Sequence, residues 1–220
     1  MVQEVFLVGV GLGNPGTLTA QARETIEGSD LLIGAARMLE PYEALPCEKT
    51  QLIKSDDIVE ALRASDARQA SVLFSGDVGF YSGATALAAK LTAVGGFNVQ
   101  AIPGISSLVY FCARLLTPWQ DAHLVSAHGR ECDPAAEVAV HAKTFLLTGG
   151  KTKVADVCRQ LVDAGLGDVN VSVGERLSYD DERITSGTAR ELLGEEFQDL
   201  AVMLVRNPAV APHEPGKLEA

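Results

Sequence analysis

Basic side chains are scarce in this chain: 18 Lys and Arg stand against 29 Asp and Glu over 220 residues, a formal net charge of −11. Phosphate backbones are held by clustered cations that release counterions, so no nucleic-acid partner is expected. A small anionic ligand stays open, because it needs only a local group of Arg; Arg37, Arg114, Arg130 and Arg176 are scattered candidates. Long apolar runs are missing too. The first, behind the acidic flank of the N-terminus, holds about six residues, against the roughly 20 of a membrane span. A soluble, cytoplasmic protein with no membrane partner is expected. The four cysteines, Cys47, Cys112, Cys132 and Cys158, lie far apart with no CxxC or CxxH spacing. Neither a disulfide framework nor a zinc site is indicated, and no metal site is expected. The acidic run Asp180, Asp181, Glu182 reads as a solvated turn rather than a hard-cation site, which usually draws ligands from several segments.

What is present is a 47% hydrophobic sequence, long enough for two domains of roughly 100 residues each. The β-branched run 4–10 ends in glycines and reads as a buried strand, and helical spacing follows over 19–29 with Thr17 or Thr19 as N-cap. Further strands are predicted at 31–33, 70–74 and 97–102, and helices at 55–64 with Ser55 as cap, 82–94 and 104–115. This alternation predicts a parallel sheet with helices on both faces. Pro118 disfavours a helical Thr117, which sets a boundary there. Beyond it, strands are predicted at 122–127, 144–147, 169–174 and 200–205, with helices at 133–141, 151–164 and 188–193. The expected organisation is an α/β domain over 1–117, a second α/β domain over 118–208, and a tail over 209–220 marked by Pro212, Pro215 and Gly216.

Gly11-Leu12-Gly13-Asn14-Pro15-Gly16 follows the first strand in G-x-G-x-x-G spacing, the fingerprint of dinucleotide binding. Two features oppose that reading. Pro15-Gly16 would disrupt the first turn of the helix the fingerprint requires. The acid that should hold a ribose at the far end of the second strand is absent: Asp30 precedes that strand, and its far end is Gly34-Ala35-Ala36-Arg37. The remaining readings are a purely structural loop and a flat, glycine-lined loop against which a broad, rigid ligand lies. Ser75-Gly76-Asp77-Val78-Gly79-Phe80-Tyr81-Ser82-Gly83 and Pro103-Gly104-Ile105-Ser106-Ser107 occupy equivalent strand-to-helix turns. Three such loops at one carboxyl edge of an open α/β sheet mark a ligand site.

The order of Val8-Gly9-Val10-Gly11-Leu12-Gly13-Asn14-Pro15-Gly16, Ser75-Gly76-Asp77-Val78-Gly79-Phe80 and Pro103-Gly104-Ile105-Ser106-Ser107 resembles the tetrapyrrole (corrin/porphyrin) methylases over residues 5 to 207. That family is S-adenosylmethionine-dependent and has two α/β domains with a ligand cleft between them, distinct from the Rossmann-like methyltransferase fold. Within it, Cys112-Ala113-Arg114-Leu115, Pro118-Trp119-Gln120-Asp121-Ala122 and Ser126-Ala127-His128-Gly129-Arg130 look like the branch that methylates carbon 5 of precorrin-6B or precorrin-7 in cobalamin biosynthesis. Members of that branch are often fused to a decarboxylating C15-methyltransferase; the chain resembles the C5-methylating part, as a separate subunit or as half of a fused enzyme. Where the family commonly carries Gly-Pro-Gly-Asp-Pro, this sequence has Gly11-Leu12-Gly13-Asn14-Pro15, and Asp77-Val78 stands where Asp-Pro is frequent.

The resemblance implies cofactor contacts at Gly76, Asp77, Val78, Ser82, Ser106 and Ser107, joined by Leu147, Thr148 and Glu175 of the second domain. It implies substrate contacts at Gly11, Leu12, Gly13, Asn14 and Pro15, a precorrin-type tetrapyrrole as substrate, and a homodimer. Methyl transfer from a sulfonium disperses charge, so alignment and exclusion of water matter more than a strong acid or base. The carbon must still lose a proton, and His128, an imidazole following a strand, is the candidate base beside the alternative of a structural histidine. Arg130 is the candidate partner for a peripheral carboxylate, a task suited to guanidinium. The competing functions are an NADP-dependent oxidoreductase and a non-catalytic tetrapyrrole-binding protein.

Overall fold

The computed structural model describes residues 2–128, 132–150 and 152–212. Two compact units emerge, Met1–Ser107 and Leu108–Ala220. The first holds β1 (Gln3–Gly9), α1 (Ala20–Glu27), β2 (Leu31–Gly34), α2 (Ala36–Leu39), β3 (Glu48–Gln51), α3 (Ser55–Ala64), β4 (Gln69–Phe74), α4 (Ala84–Val94) and β5 (Phe97–Ile102). Its sheet runs β3-β2-β4-β1-β5 with every pair parallel, as the alternation predicts. Side chains alternate across a strand, so one stretch of sequence feeds two cores. Val5, Leu7, Leu31 and Ile33 pack with α3 and α4 through Ile58, Leu62, Leu87 and Leu91. Val8 and Leu32 face the other way, against Ala22 and Ile26 of α1 and Met38 and Leu39 of α2.

Local chemistry sets the helix starts. Thr19 caps α1, its hydroxyl accepting from Ala22 N at 3.1 Å. Ser55 is the first residue of α3 rather than its cap; Lys54 holds the cap position, and Asp56 and Asp57 complement the positive end of the helix dipole. Strand β3, with the sequence Glu48-Lys49-Thr50-Gln51, carries no apolar residue and is absent from the sequence-based prediction. It is an edge strand held by its backbone pairing to β2.

The second unit contains α5 (Ser107–Arg114, whose first residue closes the first unit), β6 (His123–Ser126), α6 (Pro134–Val140), β7 (Lys143–Leu147), α7 (Val154–Asp163), β8 (Asn170–Glu175), β9 (Arg183–Thr188), α8 (Ala189–Leu192) and β10 (Ala201–Arg206). Its sheet runs β6-β7-β10-β8-β9, with β6 and β7 parallel and the remaining pairs antiparallel. Val154, Val157, Cys158 and Leu161 recur at helical spacing along α7 and are buried in this core. The edge strand β9, like α2 in the first unit, is absent from the sequence-based prediction. Thr188 ends it and caps α8, its hydroxyl accepting from Glu191 N while Glu191 accepts from Thr188 N.

The division between units falls at Ser107/Leu108, ahead of the expected boundary at 117/118. The reason lies in α5: its Phe111 is fully buried against Gly174 and Leu177, and a Cβ on Gly174 would stand 2.7 Å from the Phe111 ring. Helix α5 therefore belongs with the second sheet. Cys47, Cys112, Cys132 and Cys158 are all free thiols. Among the described residues, no helix is long and apolar enough to cross a membrane.

Candidate functional site

In the first unit the neighbouring strands β4, β1 and β5 end side by side, with Gly9 opposite Phe74 and Val8 opposite Ile102. The loops that leave them are joined by backbone. Gly11 N donates to Gly76 O at 3.2 Å and Gly76 N to Gly11 O at 2.7 Å, and the two residues have φ of 69° and 71°, which side chains disfavour. The third loop is closer still: a Cβ on Gly104 would lie 2.2 Å from Gly76 O and 2.6 Å from Gly9 O. Glycine is required at Gly104 because backbone, not ligand, fills the space.

Asp77 fastens this arrangement. Its Oδ1 accepts from Gly79 N at 2.8 Å, closing its own turn, and its Oδ2 accepts from Gly104 N at 3.0 Å, tying the second loop to the third. Both carboxylate oxygens thus serve the loops. Of the other predicted cofactor residues, Ser106 is buried, with Cα 3.7 Å from where a Gly76 Cβ would be, and Val78, Ser82 and Ser107 are half-buried. Ser82 Oγ accepts from Ala84 N at 3.2 Å, at the start of α4. The helix predicted from Gly104 begins only at Ser107, because residues 103–106 are spent on this packing.

The first loop is not flat, contrary to the flat-loop reading. Pro15–Thr17 form a one-turn 3-10 helix, with Asn14 Oδ1 accepting from Gly16 N at 2.7 Å and the buried Thr17 hydroxyl donating to Asn14 O at 2.8 Å. The dinucleotide fingerprint fails on the same ground, since Pro15 starts that turn and α1 begins at Ala20. Asp30 sits at the amino edge of the sheet, its Oδ2 accepting from the amides of Arg68 and Gln69 at 2.9 and 3.0 Å. It cannot hold a ribose at the opposite edge.

Folding the loop creates a concavity. Gly13, Asn14 and Pro15 line a cavity of about 210 Å3 together with Leu18, Met38, Tyr42, Arg23 and Arg37. Gly11 and Leu12 do not line it; Gly11 pairs with Gly76, and Leu12 N lies 3.4 Å from the Thr17 hydroxyl. Arg37 also donates to Ser75 Oγ at 3.3 Å, linking the cavity wall to the second loop, and Arg23 donates to Pro15 O at 3.4 Å. The sequence flagged Arg37 as one of several scattered cations and as the residue at the far end of the second strand that would favour a phosphorylated dinucleotide. Arg23 was missed; nothing marks it in sequence beyond its place one turn into the helix after the glycine loop.

The second-unit residues are placed as follows. Glu175, 1% exposed, accepts from Arg183 Nε at 2.5 Å and from Gln198 N at 2.7 Å, so both of its oxygens are held within the unit. The buried Thr148 hydroxyl donates to Ala201 O at 2.8 Å. Leu147, half-buried, ends β7 and accepts from Ala127 N at 2.9 Å. His128 is exposed, its ring lying over Gly149, where a Cβ would come within 2.6 Å of Nδ1. Arg130 lies outside the described residues. The acidic run forms a paired turn: Arg176 binds Asp181 at 2.6 Å and Arg114 binds Glu182 at 2.8 Å.

Comparison with known proteins gives a consistent result. A family model for Tetrapyrrole (Corrin/Porphyrin) Methylases matches residues 4–193. The chain is 34% identical over 181 residues to the cobalt-precorrin-7 C(5)-methyltransferase of Salmonella typhimurium, covering 81% of this chain and 87% of that protein. It is 29% identical over 196 residues to the decarboxylating precorrin-6Y C(5,15)-methyltransferase of a Sinorhizobium species, covering 86% of this chain and 46% of that one. Among solved structures, uroporphyrin-III C-methyl transferase from Thermus thermophilus, complexed with S-adenyl homocysteine, superposes with a TM-score of 0.75 at 23% identity, covering 92% of each chain.

Proposed function

The chain belongs to the tetrapyrrole (corrin/porphyrin) methylases, and from that premise we propose that it transfers a methyl group from S-adenosylmethionine to carbon 5 of a precorrin-7-type tetrapyrrole in cobalamin biosynthesis. The observation that carries the reading is the backbone-locked trio of loops on one sheet edge, with an arginine-bearing cavity beside the first loop.

The residues present suit the methyl donor by chemical type. Val78 offers an apolar surface for a nucleobase, Ser82, Ser106 and Ser107 carry hydroxyls of the type that suits ribose and carboxylate groups, and the buried Gly76 holds the second loop against the first through its backbone pairing with Gly11. Asp77 acts through the loops it ties together, as a positioning residue. Leu147, Thr148 and Glu175 remain in the proposed cofactor set on the family resemblance. The bound donor supplies an electrophilic methyl on a sulfonium sulfur. As the bond to carbon 5 forms, the carbon–sulfur bond breaks, its electron pair stays on sulfur, and S-adenosylhomocysteine departs. The protein's contribution is alignment and exclusion of water. His128, exposed over a residue without a side chain, is proposed to take the proton the carbon loses. Arg23 and Arg37 are proposed to bind peripheral carboxylates of the macrocycle, a role that accommodates an anionic substrate on an acidic protein. Arg130 stays a proposed substrate contact.

A cytoplasmic location and, from the resemblance, a homodimer are further proposals, with light scattering as the check on the second. A C15-decarboxylating subunit is the proposed partner, because the Sinorhizobium relative names both methylations. Calorimetric titration tests the cofactor: S-adenosylhomocysteine is expected to bind, and tight NADPH binding without it would support the oxidoreductase reading instead.

A further inference from the structure

No cysteine spacing in the sequence suggests a metal, yet the fold of the second unit brings together three ligand-type side chains that lie up to 18 residues apart. His123 opens the edge strand β6, Glu137 lies on α6, and His141 caps the C-terminus of that helix one turn on. Each offers a ligand atom within 4.8 Å of the others. Glu137 stands at the centre, its Oε2 lying 2.9 Å from His123 Nε2 and 3.7 Å from His141 Nδ1. All three side chains are a little over one-third exposed, so an ion can reach them.

We infer that His123, Glu137 and His141 form a binding site for a divalent transition-metal ion, zinc being the best match, which fastens α6 to the edge of the second sheet. Two imidazoles and one carboxylate are a known zinc-binding combination that leaves a fourth position for water. The outer contact is already in place: His141 Nδ1 lies 2.8 Å from the backbone carbonyl of Glu137, an acceptor only, so Nδ1 carries the proton and Nε2 keeps its lone pair for the metal. His123 Nε2 faces Glu137 Oε2, so ligation through Nε2 requires the tautomer that carries its proton on Nδ1.

The imidazole rings are stacked parallel, 1° apart in plane with centroids 3.7 Å apart. Lone pairs in parallel planes do not converge on one atom. Coordination therefore requires the partly exposed rings to fan out, with Glu137 moving back from His123 to make room. That rearrangement separates a metal site from the hydrogen-bonded stack alone.

The test uses the whole chain, freed of tags and chelators. Equilibrium dialysis with zinc chloride is expected to show about one ion per chain, and cobalt(II) in its place to give the intense visible bands of a four-coordinate ion. Zinc at a hundredfold excess over its dissociation constant should raise Tm by about 5–10 °C. Glu137→Gln, which keeps the shape, and His141→Asn should each weaken uptake at least tenfold. Where either variant fails to fold, nitrogen and oxygen ligation in the cobalt spectrum of the unaltered chain decides. Absence of tight uptake, sulfur ligation, or uptake unchanged in folded Glu137→Gln would overturn the assignment.

Discussion

Replacing Asp77 by alanine removes two hydrogen bonds at once, to Gly79 N at 2.8 Å and to Gly104 N at 3.0 Å. A hydrogen bond to a charged group contributes about 1.5–3 kcal/mol; the part-buried Gly104 bond falls at the lower end of that range and the exposed Gly79 bond below it. Deleting both should cost about 2–3 kcal/mol, which falls on the order of the loops rather than on the sheet beneath them. Cofactor then binds only the fraction of molecules whose loops are in register, so affinity for S-adenosylhomocysteine should fall by about 30- to 150-fold. Asp77→Asn keeps one carbonyl acceptor and should fall by about 5- to 20-fold. Calorimetric titration of the two variants, with circular dichroism to confirm folding, reads both numbers. Unchanged affinity in folded Asp77→Ala would refute the assignment of these loops, and equal losses in both variants would refute the two-bond account.

Three further outcomes are expected. His128→Ala should lower kcat by about 100-fold or more while leaving cofactor affinity intact, and Gly149→Ala should act in the same direction by pushing the ring aside; full activity in His128→Ala would leave a structural histidine. Arg23→Met should raise KM for the tetrapyrrole about 10- to 100-fold with S-adenosylhomocysteine binding unchanged, and parallel losses of both would place Arg23 in loop structure instead. Burial pushes the Cys158 thiol from its ordinary value of 9.0 up to about 11, so the folded state holds that proton more tightly than the unfolded one. The stabilising contribution is complete below pH 9 and is lost between pH 9 and 11, a slope that Cys158→Ala should remove in chemical denaturation series.

The sequence shows the apolar elements and hides the two edge strands that lack an apolar pattern. Strands β1, β2 and β4 carry apolar residues to two cores, and α7 carries its apolar stripe, so periodicity finds them. Strands β3 and β9 have polar sequences because one side of each is an open edge, and only their partners' backbones define them. The loop motifs were legible as a group, but their geometry was not. Which glycines touch, and that Asp77 serves two loops, depends on the parallel alignment of β4, β1 and β5. Arg23 and the trio of His123, Glu137 and His141 leave no trace in composition, because each becomes a neighbour only when a helix is laid against the loop or strand beside it.

The central claim is methyl transfer to carbon 5, and product analysis tests it most directly. The purified chain is incubated with a precorrin-7-type substrate and S-adenosylmethionine carrying a carbon-13 methyl group, and the corrinoid is analysed by mass spectrometry and carbon NMR. One labelled methyl on carbon 5, with an equal amount of S-adenosylhomocysteine, is the predicted result. Tight substrate binding without any labelled product, or a label at another ring carbon, would contradict the account.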